Sequence, residues 1–95
     1  MKQRVEVLDS EITAAFATLG DSLKKRLLQH GKDGFIGPHE ILGTLEEEMH
    51  ELREAVRSNK PPAVVSELLD VAVGALFGVA SMMAKERAEK NVPVR

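Results

Sequence analysis

Ninety-five residues without a cysteine leave room for one hydrophobic core, residues 1–95 as a single domain, and exclude disulfide scaffolds, thiolate metal sites and cysteine nucleophiles. Hydrophobic residues at 43% suffice for folding. Thirteen Lys and Arg against fifteen Asp and Glu, a net charge of -2, lack the basic excess of a protein that grips nucleic acid by bulk electrostatics.

Three Phe with no Trp or Tyr leave Leu, Val, Ile, Ala and Met to build the interior, which suits helices, so an all-α fold is expected. The first helix is expected over about residues 2–29. Leu8, Ile12, Phe16, Leu19, Leu23 and Leu27 recur there at steps of three and four and line one face. Gly20 interrupts the run and Asp21 can cap a restart, so a break there is one option. The N-terminus lacks the apolar stretch of a secretory signal, and a reducing cytoplasm is the expected location. His30 to Gly37 holds three glycines in eight residues and reads as a loop.

Pro38 opens the second helix, where a missing N–H costs nothing. Ile41, Leu42, Leu45, Met49, Leu52 and Val56 form its apolar stripe, and residues 58–62 end it. The third helix is expected over about 62–90, stopped by Asn91-Val92-Pro93. The link between these two helices is short enough to make them antiparallel neighbours. The most apolar run, residues 71–84, is shorter than the roughly 20 residues that cross a bilayer and is bracketed by Asp70 and Lys85, so no membrane partner is expected.

The third helix is apolar on two faces. Val65, Leu69, Ala72, Leu76 and Met83 form one stripe; Glu67, Asp70, Gly74, Phe77, Gly78 and Ser81 form the other. The Gly74–Gly78 spacing marks close approach of another helix. Three helices cannot readily cover both faces in a monomer. The expected architecture is therefore an antiparallel hairpin plus an N-terminal helix, completing a four-helix-bundle-like core by forming a homodimer or homotetramer.

The chemistry-bearing residues are acidic. The second helix carries Glu46, Glu47, Glu48, Glu51 and Glu54; the third carries Glu67 and Asp70. Glu48 with Glu51, and Glu67 with Asp70, are i,i+3 pairs and so share a flank. An antiparallel hairpin can bring the two pairs together. Runs of Glu are usually solvated faces, but two acids in the most apolar helix, above a strip of small residues, need a partner. A hard divalent cation with oxygen ligands meets that need, Mg²⁺ or Mn²⁺ rather than Zn²⁺, since no Cys or well-placed His joins the cluster.

The run Leu45-Glu46-Glu47-Glu48-Met49-His50-Glu51-Leu52-Arg53-Glu54-Ala55 resembles the LxEExxELxxA helix of MazG-like, all-α nucleoside triphosphate pyrophosphohydrolases, and Ser66-Glu67-Leu68-Leu69-Asp70-Val71 resembles their ExxD partner motif. The separation of the motifs is also similar, and the resemblance covers about residues 38–80. It implies a Mg²⁺-dependent hydrolase that converts a nucleoside triphosphate to the monophosphate and pyrophosphate. It also implies Glu48, Glu51, Glu67 and Asp70 as metal ligands, with Glu47 as a further ligand or the base for water. Two other readings are open: a non-catalytic interaction module with this fold, and a phosphoribosyl-ATP pyrophosphohydrolase of the same helical superfamily.

Among the remaining residues, Lys32 in the glycine-rich loop is the candidate phosphate contact, because backbone N–H groups can converge there. Lys24, Lys25 and Arg26 have two readings, a phosphate contact and a solvated helix face, of which the solvated face leads. His30, His39 and His50 are expected away from the carboxylates, and Lys85 and Arg87 are too far along the third helix to reach them within one chain. No nucleic-acid polymer is expected as a partner.

Overall fold

Where each helix begins and ends follows from a few local interactions. The computed structural model describes residues 3–91, forming α1 (Asp9–His30), α2 (Pro38–Arg57) and α3 (Pro61–Asn91). The all-α expectation holds; among the described residues there is no strand. Lys2 and the stop signal at Val92-Pro93 lie outside the described residues.

The expected first helix starts too early. Glu11 reaches back to accept the Leu8 N–H at 2.9 Å, satisfying a donor that has no partner within the helix. Leu8 itself is extended. Val5 and Val7, β-branched and exposed, gain no packing that would carry the helix further back. Gly20 causes no break: α1 runs through it. Gly31, at φ 78°, adopts the left-handed backbone that ends α1 and sends its N–H to the Leu27 carbonyl at 2.9 Å.

Ser81 on α3 ties down the following loop. Its hydroxyl accepts the Phe35 N–H at 3.0 Å and donates to the Phe77 carbonyl at 2.8 Å. Gly34 lies so close that a Cβ there would meet Ser81 Oγ at 3.1 Å. Phe35 then packs edge-on to Phe77, with ring centroids 5.5 Å apart. Glu40 accepts the Ile36 N–H, and Pro38 starts α2.

Between α2 and α3 the chain reverses in three residues, with Asn59 at φ 55°. The helices pack antiparallel as expected. A Cβ on Gly78 would lie 3.0 Å from Ile41, and one on Gly74 would lie 3.4 Å from Leu45. Four residues along α2 match four along α3, which fixes the register.

Of the two apolar faces of α3, α2 covers the one with the small residues, and Leu69 and Ala72 of the other are half-buried. The buried residues of α3 are Val73, Gly74, Phe77, Gly78 and Ser81, the small-residue face, whereas Val65 (56%), Leu76 (40%) and Met83 (65%) are exposed. Glycines let α2 approach closely, so α2 takes that face. The α2 stripe turns correspondingly: Ala55 is buried and Ile41, Leu45, Glu48 and Leu52 are half-buried, while Leu42, Met49 and Val56 stay exposed.

α1 approaches α3 and not α2. Leu19, Leu23 and Leu27 are half-buried, and Leu8, Ile12 and Phe16 project into solvent. The exposed surface is 8134 Å², against about 5,400 Å² for a typical monomer of this mass. The radius of gyration is 16.7 Å, against about 12 Å for a compact chain of this length. α3 is also long and apolar enough, by length and composition, to cross a membrane, which its central run alone understated.

These contacts give opposite expectations for two glycines. A Cβ added at Gly43 would meet nothing within 4 Å. Gly43→Ala should therefore gain about 0.5–1 kcal/mol in urea unfolding at fixed protein concentration. Gly78→Leu should lose about 1–3 kcal/mol by forcing α2 away from α3.

Candidate metal centre

Two short-range spacings and one long-range register build the site. Glu48 and Glu51 stand a turn apart on α2, as Glu67 and Asp70 do on α3. Gly74, at the close approach, lies one turn beyond Asp70. The helices are therefore near contact where the carboxylates meet. One oxygen from each of Glu48, Glu51, Glu67 and Asp70 lies within 4.8 Å of the others. The four carboxylates singled out from spacing do converge.

Their surroundings give little charge compensation. Glu48 and Glu67 are half-buried; Glu51 and Asp70 are exposed. Glu48 Oε2 and Glu67 Oε2 are shielded from solvent and, among the described residues, have no hydrogen-bond partner. Among the described residues the ion pairs are Glu54–Arg57 and Glu86–Lys90, neither of which involves the cluster. Burial raises the Glu48 pKa, and the charges of Glu51, Asp70, Glu67 and Glu47 raise it further. Burial likewise raises that of Glu67, with Asp70 and Glu51 adding to it.

These orphaned oxygens test whether a cation fits. A buried acceptor without a partner carries a desolvation cost of about 1–3 kcal/mol, and more when charged. Mutually close, uncompensated carboxylate oxygens suit a hard cation, which takes oxygen ligands at about 2.0–2.6 Å. Such an ion removes both the repulsion and the unmet hydrogen bonding. Four acidic residues can thus hold a metal ion here.

The other candidates fall elsewhere. Glu47 is exposed and outside the group of four, although its charge reaches Glu48. Lys32 lines an apolar cavity with Leu23, Leu27 and Phe77, apart from the carboxylates. His39 and His50 are exposed and outside the cluster.

A cleft of about 550 Å³ opens beside the cluster, with Glu48 and Asp70 in its wall. From α1, Ser22, Lys25, Arg26, Gln29 and His30 also line it. Lys24 and Lys25 are exposed, as a solvated face requires, whereas Arg26 is half-buried at this cleft; His30 also lines it but is exposed and outside the group of four carboxylates. A signal was available: Ser22, Arg26 and Gln29 recur at steps of four and three beside the leucine stripe of α1. The Arg26 guanidinium carbon lies 4.0 Å from the Phe77 ring centroid and 5.6 Å from that of Phe35.

Comparison with models of known families, with curated proteins and with solved structures gives no match.

The raised carboxylates set a pH dependence. In the metal-free protein the folded state binds protons more tightly than the unfolded chain, so stability falls as pH rises from about the ordinary value of 4.5 through the raised values of Glu48 and Glu67. Relative to wild type, the Glu48→Gln, Glu67→Gln double variant should gain stability over that window in metal-free thermal melts. Mg²⁺ or Mn²⁺ should raise the melting temperature of wild type, by about 2.7 kcal/mol of stabilisation at a hundred times Kd, and leave the double variant unmoved.

Proposed function

We propose that this chain is a Mg²⁺-dependent, MazG-like nucleotide pyrophosphohydrolase that converts a nucleoside triphosphate to its monophosphate and pyrophosphate. The observation that carries this reading is the convergence of Glu48, Glu51, Glu67 and Asp70, from two motif-bearing helices, around one point. The adjoining cleft, lined by acidic side chains and by Lys25 and Arg26, supports a phosphorylated substrate bridged to the protein by metal.

Glu48, Glu51, Glu67 and Asp70 hold the ion, with Mn²⁺ an alternative to Mg²⁺. When bound, the ion neutralises phosphate charge and lowers the pKa of water. Glu47 orients the attacking water and accepts its proton, or supplies a ligand to a second ion. The water oxygen bonds to the α-phosphorus, the bond from that phosphorus to the bridging oxygen breaks, and pyrophosphate leaves with the bonding electrons.

The active form is a homodimer or homotetramer in the cytoplasm, bound neither to a membrane nor to a nucleic-acid polymer. The exposed apolar side of α3, together with Leu8, Ile12 and Phe16 of α1, supports self-association into a four-helix-bundle-like core. The surface in excess of a typical monomer is several times the roughly 800 Å² that one partner buries in a standard interface.

The test is pyrophosphate release from each ordinary nucleoside triphosphate, several damaged ones and phosphoribosyl-ATP, with Mg²⁺. Wild type should release pyrophosphate and not phosphate from at least one. Glu51→Gln and Asp70→Asn should lower the rate by about a hundredfold or more. Activity surviving both changes would overturn the ligand assignment. No turnover of any substrate, with no metal-induced shift in melting temperature, would leave a helical interaction module instead. Light scattering at micromolar concentration should give a dimer or tetramer, and a monomer would refute the assembly.

A further inference from the structure

The cleft contains a cation that the acidic motifs do not account for. Arg26 sits on α1, and its guanidinium lies over the ring of Phe77. Phe77 is buried on α3, and its ring meets the edge or face of Phe35 at an interplanar angle of 74°. Phe35 is in turn held by the Ser81 hydroxyl. A guanidinium supported on one face by an aromatic ring is pre-oriented and keeps its N–H edges for planar, bidentate contacts. Among the described residues, no carboxylate forms an ion pair with Arg26. The same residue lines the cleft that contains Glu48 and Asp70.

The spacing suits a phosphate chain. Phe77, which supports the guanidinium, stands seven residues beyond Asp70 on α3, about 10 Å along the axis. Glu48 and Asp70 line the same cleft as Arg26, whose supporting ring lies further along α3. A metal ion held by the carboxylates would draw a phosphorylated ligand into the cleft, where Arg26 can meet the rest of its charge.

We propose that Arg26, stacked on Phe77, is a phosphate-binding residue that takes the β- and γ-phosphates of the substrate and the pyrophosphate formed from them. This rests on the pyrophosphohydrolase reading and adds to it the group that holds the leaving portion. Lys25, exposed and lining the same cleft, adds charge without a fixed geometry. The assignment replaces Lys32 as the main phosphate contact, since Lys32 lines the neighbouring apolar cavity.

Calorimetric titration of inorganic pyrophosphate into the Mg²⁺-loaded full chain tests it apart from turnover. Wild type should bind. Arg26→Leu, which keeps an apolar group on Phe77, should weaken binding by about ten- to a hundredfold. Arg26→Lys, which keeps the charge but loses the planar fork, should fall between them. The Mg²⁺-induced rise in melting temperature should be unchanged in both variants. Absence of pyrophosphate binding by wild type, wild-type affinity in the variants, or loss of the Mg²⁺ response along with pyrophosphate binding would each overturn the proposal. If wild type binds Mg²⁺ and pyrophosphate with this Arg26 dependence but hydrolyses no nucleotide, the phosphate contact stands and the enzymatic reading fails. If it hydrolyses a nucleotide and Arg26→Leu binds pyrophosphate normally, only the Arg26 assignment fails.

Discussion

The close approach of α2 to α3 at Gly74 and Gly78 governs the rest of the structure. Two helices that carry large side chains at every facing position stand about 10 Å apart. Glycine removes that spacer on one side, and Leu45 and Ile41 fill the resulting grooves. The same contact sets the rotation of both helices about their axes. With Leu45 and Ile41 turned inward, Glu48 must turn inward as well, and Asp70 comes to face it. The acidic convergence is thus a by-product of apolar packing one turn away, which supplies the stabilisation that carboxylates alone cannot.

Much of this was legible in the sequence, for physical reasons. The i,i+3 acidic pairs lie on single helices, and a three-residue link leaves an antiparallel hairpin as the simple arrangement. The helix start at Pro38 follows from local chemistry, and the end of α1 and the start of α3 fall within one residue of the expected positions. The covered face of α3 was harder to read. Both faces are apolar, and periodicity identifies a stripe without saying what will cover it. The outcome depended on which face allowed closer approach, a property of the helix pair. The start of α1 depended on one side-chain contact from Glu11 that a leucine stripe does not reveal.

Arg26 illustrates a second limit. Its neighbours in sequence, Lys24 and Lys25, make it look like part of a solvated basic run. Its neighbours in space, Phe77 and Phe35, come from a distant helix and from the loop. Only the tertiary fold sets it apart. The loop has a corresponding role: Gly34 allows the chain to lie against Ser81, and that contact places Phe35 against Phe77 and near Arg26. Two of the three phenylalanines meet where one of them holds a charged group, and the third, Phe16, is exposed.

The turn at residues 58–60 has a consequence beyond reversing the chain. Every residue pair across the hairpin is counted from it, so it serves as the ruler of the acidic site. Adding one residue to α2 between Glu51 and the turn would rotate Glu48 and Glu51 by about 100° relative to the residues nearer the turn. The two motifs would then point past each other although each remained intact. Their meaning therefore resides in the length between them as much as in the acids themselves.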